Sequence, residues 1–145
     1  MRILAGIDIG GTKCAVSVGE EAGATIRVIG QCSFPTPASP RDAIDQVRRE
    51  LDQLSVEHGL GALDAVGISC GGPLDSTAGI VLSPPNLPAW DHIDVVTPLR
   101  DHFGVPVGLQ NDAKGLSENK VFISGDMGED DVVPLAVELI PLEVD

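Results

Sequence analysis

The chain has 145 residues, 43% of them hydrophobic and 21% charged, which supports one packed core and excludes a chain that is a disordered acidic tail throughout. Nine Lys and Arg stand against 22 Asp and Glu, a formal net charge of -13. Such a surface excludes nucleic acid and an anionic membrane as partners, because both need clustered cations. Residues 1–112 hold 14 acids and 7 bases (net -7), and residues 113–145 hold 8 and 2 (net -6), so the two stretches are read separately. Cys14, Cys32 and Cys70 form no close pair, which fits neither a disulfide framework nor a Cys-rich zinc site. No run approaches the roughly 18–20 apolar residues of a membrane helix. The opening Met1-Arg2-Ile3-Leu4-Ala5-Gly6-Ile7-Asp8 reads as a first strand rather than a signal peptide. A soluble, cytoplasmic protein with reduced thiols is expected.

Ile3 to Asp8 predicts a strand ended by Gly10-Gly11. Residues 14–19, 25–29 and 32–34 predict further strands, joined by Gly-containing turns into hairpins. Pro35, Pro37 and Pro40 break that pattern. A helix then starts, with Ser39 as cap, Pro40 at the first position and Asp42 in the first turn. Ile44, Val47, Leu51 and Leu54 recur at helical spacing, and Gly59 marks the stop. Residues 65–69 predict a buried strand running into Cys70-Gly71-Gly72-Pro73, and residues 79–82 a short one. A second helix begins at Asp94 or at Thr97-Pro98 and ends at Phe103-Gly104. Residues 105–109 form one more strand, which delivers Gln110-Asn111-Asp112. A meander followed by strands alternating with helices indicates an α/β fold with a mixed sheet. Beyond Asp112 the pattern changes: residues 120–124 suit a strand, residues 125–131 an acidic loop, and Pro134 and Pro141 argue against a long helix.

Four constellations carry chemistry. Asp8-Ile9-Gly10-Gly11-Thr12-Lys13 opens a strand end into a glycine turn with a hydroxyl and a cation. Such a turn brings backbone N–H groups close to phosphate oxygens, and Asp8 suits a magnesium-bound water. It is no Walker A loop, since Thr12 precedes Lys13. A plain hairpin turn accounts for it equally well. Gly67 to Asp75 is a buried strand ending in two glycines, with room for a ligand against the backbone. Ser69 lacks a histidine partner and nothing near Cys70 lowers its pKa, so neither is expected as a nucleophile. Ser83-Pro84-Pro85-Asn86-Leu87-Pro88-Ala89-Trp90 is an extended loop that presents the Asn86 amide, with Trp90 best read as a core residue. Gln110-Asn111-Asp112 ends a strand where open α/β sheets bind ligands, although a lone Asp there also serves as a helix cap. His58, His92 and His102 have no metal spacing and read as surface residues.

In this order and spacing, these segments resemble the ROK family (repressors, open reading frames and kinases) of sugar kinases over roughly residues 3–112. The resemblance rests on Asp8-Ile9-Gly10-Gly11-Thr12-Lys13, Gly71-Gly72-Pro73, Ser83 to Pro88 with Trp90, and Gly104-Val105-Pro106-Val107 leading to Asn111-Asp112. It implies an actin/hexokinase-like (ribonuclease H-like) lobe, a mixed β-sheet flanked by helices. It further implies an ATP- and Mg2+-dependent kinase acting on a hexose or N-acylated hexosamine. By position, Asp112 is then the general base and Asn111 a sugar-hydroxyl ligand, while Gly71, Gly72 and Asn86 line the sugar site. Gly10, Gly11, Thr12 and Lys13 meet the ATP phosphates, with Asp8 near magnesium.

Family kinases add a second lobe with another nucleotide loop, a His and Glu pair for the sugar and, in many members, a Cys-rich zinc site. Residues 113–145 match none of these, and without a cysteine past Cys70 the chain has no means to build that zinc site. The helix-turn-helix of the family's repressors has no counterpart ahead of Asp8. The expectation is a kinase lobe at 1–112 and an unmatched acidic segment at 113–145, packed on the lobe or on a partner chain. One reading is a sugar kinase whose activity alone is hampered by a half-built cleft, or restored by homo-oligomerisation. The alternative is a non-catalytic sugar-binding or oligomerisation module.

Overall fold

The protein is described from a computed structural model, which covers residues 2–22, 25–71, 73–75 and 77–111. β1 (Ile3–Ile9), β2 (Lys13–Ala22) and β3 (Thr25–Pro35) form an antiparallel meander. β4 (Ala65–Cys70) and β8 (Val107–Asn111) then add in parallel, giving one mixed sheet in the order β3-β2-β1-β4-β8. The stretches 25–29 and 32–34, expected as separate strands, are a single one. The break suggested by Gly30 is absorbed by a register shift opposite Val18 and Gly19.

α1 (Pro40–Glu57) begins where its cap chemistry predicts: the Ser39 side chain accepts the Asp42 N–H at 3.4 Å, and Pro40 occupies the first turn. It ends in a Schellman motif. The Gly59 N–H donates to Val56 O at 3.2 Å and the Leu60 N–H to Ser55 O at 2.9 Å, with Gly59 at φ +64°. Its buried stripe is Ala43, Ile44, Val47, Leu51 and Leu54. α2 (Val96–Phe103) is capped by Asp94, whose Oδ1 accepts the N–H groups of Val96 and Thr97 at 3.1 and 2.9 Å. Both helices lie on one face of the sheet, where Ile7 and Ile9 meet Ala43, Ile44, Trp90 and Leu99. Burying each such aliphatic side chain contributes about 1.5–3 kcal/mol. The His102 ring and the Asp52 carboxylate, 2.8 Å apart, tie α2 to α1.

A smaller antiparallel sheet, β5 (Leu74–Asp75), β6 (Ile80–Leu82) and β7 (Asp91–Asp94), branches off between β4 and α2. β7 was not evident from the sequence, since Asp-His-Ile-Asp has little strand propensity. Gly79, at φ +76°, turns this sheet onto α2; a Cβ there would stand 2.6 Å from Val96 Cγ2.

Among the described residues none of the three cysteines forms a disulfide; Cys14 and Cys70 are buried and Cys32 is half-buried. Burial, and then the Glu50 carboxylate that accepts the Cys32 Sγ–H at 3.4 Å, push the Cys32 thiol from 9.0 up to about 12. Because the folded pKa is raised, this contribution to stability is whole below the unfolded value and is lost as pH climbs through the folded one. Stability measured by denaturant titration should therefore decline between pH 9 and 12, and Cys32→Ala should flatten that decline. An unchanged slope in the variant would remove Cys32 as its source.

Candidate functional site at the strand ends

Three parallel strands end on one edge of the sheet, and their register sets the site. Asp8 of β1 stands beside Ser69 of β4, which stands beside Gln110 of β8. One step further, Ile9, Cys70 and Asn111 are aligned in the same way. Asp8, Gly71 and Asn111, read separately in the sequence, are thus brought to one edge, where open α/β sheets present ligand groups. Asp8 is half-buried, Ser69 is buried and Gly71 follows β4 directly. Gly72 and Asp112 lie outside the described residues, as does the segment 113–145.

The β1–β2 turn has a one-sided hydrogen-bond pattern. Three of its carbonyls are engaged: Gly10 O accepts the Thr36 Oγ1–H at 2.7 Å, Thr12 O the Thr36 N–H at 3.0 Å, and Lys13 O the Gly10 N–H at 3.1 Å. The N–H groups of Gly11 and Thr12 find no acceptor among the described residues, and both residues are exposed. The Lys13 side chain makes no ion pair among the described residues. A turn with its Gly10, Thr12 and Lys13 carbonyls engaged, and with the N–H groups and hydroxyl of Gly11 and Thr12 exposed, is arranged for an anion. Burial pushes the adjacent Cys14 thiol up and the Asp8 charge adds to this, against hydrogen bonds with Thr36 and the Gly10 backbone. That thiol stays protonated and structural.

The Asn86 loop is built just as firmly. Ser83 N–H donates to Trp90 O at 2.8 Å, and inside the loop the Leu87 N–H donates to Pro84 O and the Trp90 N–H to Leu87 O, each at 2.9 Å. Asp91 closes the base, accepting the Ser83 hydroxyl at 2.9 Å with the His92 ring at 3.0 Å; hydrogen bonds from these two hold the Asp91 carboxyl below its usual range. Asn86 is exposed, while Trp90, 1% exposed, is a core residue as the sequence suggested. The loop meets the β1–β2 turn directly. A Cβ on Gly11 would lie 2.7 Å from Asn86 Cβ and 2.9 Å from Asn86 O. Between them opens a cleft of about 300 Å³ lined by Gly11, Thr36, Pro37, Asn86, Pro88 and Trp90. That is the lower end of the size range for small-molecule sites.

The three histidines are exposed, as the sequence suggested, with His92 on β7. Among the described residues no cluster of His, Cys, Asp or Glu is placed to hold a metal. No helix among them is long and apolar enough to cross a membrane. Thr36, which fixes the turn, carried no signal in the sequence beyond its place between two prolines.

The ROK family model matches residues 4–138, past the stretch on which the motifs alone rest. A glucokinase of Streptomyces coelicolor is 28% identical over 133 residues, which is 92% of this chain and 40% of that protein. Among solved structures, a ROK hexokinase from Thermus thermophilus superposes with a TM-score of 0.68 at 27% identity, covering 81% of this chain and 37% of the other. A ROK family glucokinase from Streptomyces griseus, in complex with glucose and AMPPNP, gives 0.66 at 30% identity, covering 81% and 35%. The chain spans about 40% of the length of the curated glucokinases it matches. Its mixed sheet with flanking helices is an actin/hexokinase-like lobe, and the chain belongs to the ROK family.

Proposed function

We propose that this lobe serves a cytoplasmic ROK sugar kinase, one that transfers the terminal phosphoryl group of ATP to a hydroxyl of a hexose or N-acylated hexosamine. The observation that carries the reading is the β1–β2 turn, with its Gly10 and Thr12 carbonyls tied to Thr36 and with exposed Gly11 and Thr12 N–H groups that find no acceptor among the described residues. The complex of the S. griseus relative with glucose and an ATP analogue supports sugar and nucleotide as its ligands. In this reading Gly10 to Lys13 hold the phosphates, and the Gly71-Gly72 backbone, Asn86 and Asn111 hold the sugar. Asp112, the residue after β8, accepts the hydroxyl proton as the new O–P bond forms. Asp8, a half-buried carboxylate near the end of β1, suits a hard cation that keeps most of its waters, and would hold magnesium through one of them. When bound, magnesium neutralises charge on the phosphates.

The test is a coupled ADP-release assay with magnesium-ATP over hexoses, N-acetylhexosamines and fructose. Turnover with one sugar, reduced roughly 10²–10⁴-fold in Asp112→Asn, is expected for a positioned general base. Folded protein that releases no ADP with any sugar would overturn turnover by this chain. Saturable sugar binding in that same protein would favour a non-catalytic sugar-binding or oligomerisation module.

A further inference from the structure

We infer that Thr36 is the positioning residue of the β1–β2 turn, holding its Gly10 and Thr12 carbonyls inward so that its N–H groups face the phosphate chain. The inference rests on the reading of that turn as the phosphate site. Thr36 lies just past β3, and its Oγ1 is 26 residues from the Gly10 carbonyl to which it donates at 2.7 Å. Its own N–H donates to Thr12 O at 3.0 Å, so one residue holds both ends of the turn. The remaining turn bond, Gly10 N–H to Lys13 O at 3.1 Å, closes the loop from within. Cys14 Sγ, 3.4 Å from Thr36 Oγ1, seats the hydroxyl from behind.

The chemistry follows from what a carbonyl does near a phosphate. A Gly10 carbonyl freed from Thr36 must find another donor, because a part-buried acceptor left unpaired costs more than the bond was worth. The nearest route is a rotation of the Gly10–Gly11 peptide, unhindered by side chains at either residue. That rotation swings the carbonyl oxygen outward and the Gly11 N–H inward, replacing an attractive dipole with a repulsive one at the anion. The side-chain hydroxyl thus acts on the ligand through the backbone, without touching it.

Calorimetric titration with magnesium-ATP and with magnesium tripolyphosphate, on wild type, Thr36→Val and Thr36→Ser, tests this. Thr36→Val keeps the shape and the backbone N–H but deletes the hydroxyl; it should weaken both probes about tenfold, the effect of losing one favourable dipole at a charged ligand. Thr36→Ser restores the donor and should bind within about twofold of wild type, a rescue that loss of packing alone would not produce. If Thr36→Val does not fold, Thr36→Ala reads the same loss. Wild-type affinity in Thr36→Val, or equal weakening in Thr36→Ser, overturns the inference alone. A wild type that binds neither probe overturns the phosphate reading of the turn, and the role of Thr36 falls with it.

Discussion

Gly11→Ala is expected to weaken magnesium-ATP and sugar binding together, each by about tenfold or more, while changing thermal stability by only a few degrees. The new methyl would stand 2.7 Å from Asn86 Cβ and 2.9 Å from Asn86 O, closer than such atoms pack. Neither side yields easily. The turn is held by two bonds from Thr36, and the Asn86 loop by its own turns and by the Ser83 contacts with Trp90 and Asp91. The clash is relieved by parting the two loops, which moves the phosphate donors and the Asn86 amide in one step. Alanine also restricts the unfolded chain, an opposing gain of about 0.4–1 kcal/mol where the backbone allows it. That gain offsets part of the strain, so melting temperature is the insensitive readout and ligand affinity the sensitive one. Unchanged affinity for both ligands would show that the loops separate freely.

The elements most legible in the sequence are those specified by short-range chemistry. Ser39, Pro40 and Gly59 mark both ends of α1, and the spacing from Ile44 to Leu54 marks its buried face. The strand ends at Asp8, Gly71 and Asn111 were readable because apolar runs stop there at glycine or amide residues, and parallel pairing then aligns them. What the sequence hid depends on distant partners. Gly30 suggests a turn, yet it lies inside β3 with His58 of the α1 cap against it, where a Cβ would be 2.6 Å from Nε2. β7 is held by pairing to β6 and has His92 at φ +56°, a conformation no propensity scale favours for histidine. Thr36 was invisible for the same reason, since its two acceptors lie in a turn more than twenty residues earlier. Gly11 was read as a turn glycine that lets the backbone approach a phosphate; the close approach of Asn86, which also requires glycine there, had no signal in the sequence.

Trp90→Ala should cost about 3–5 kcal/mol, the range for truncating a large buried aromatic. Trp90 is 1% exposed and packs among Ile7, Ile9, Ile44 and Leu99, where both helices meet the sheet. It also forms a wall of the 300 Å³ cleft, so its loss opens space on two sides. Stabilities of folded domains are about 5–15 kcal/mol, which makes this a large share. The denaturation midpoint should fall with little change in slope, and melting should drop by about 10 °C or more. Circular dichroism is the probe, because Trp90 is the only tryptophan. Trp90→Phe keeps a ring in the site and should recover more than half of the loss. Deletion costing under about 1 kcal/mol would mean that the surrounding core collapses into the space. The Asn86 loop would then be held by its backbone bonds alone, and the cleft would owe its shape to the prolines rather than to the core beneath it.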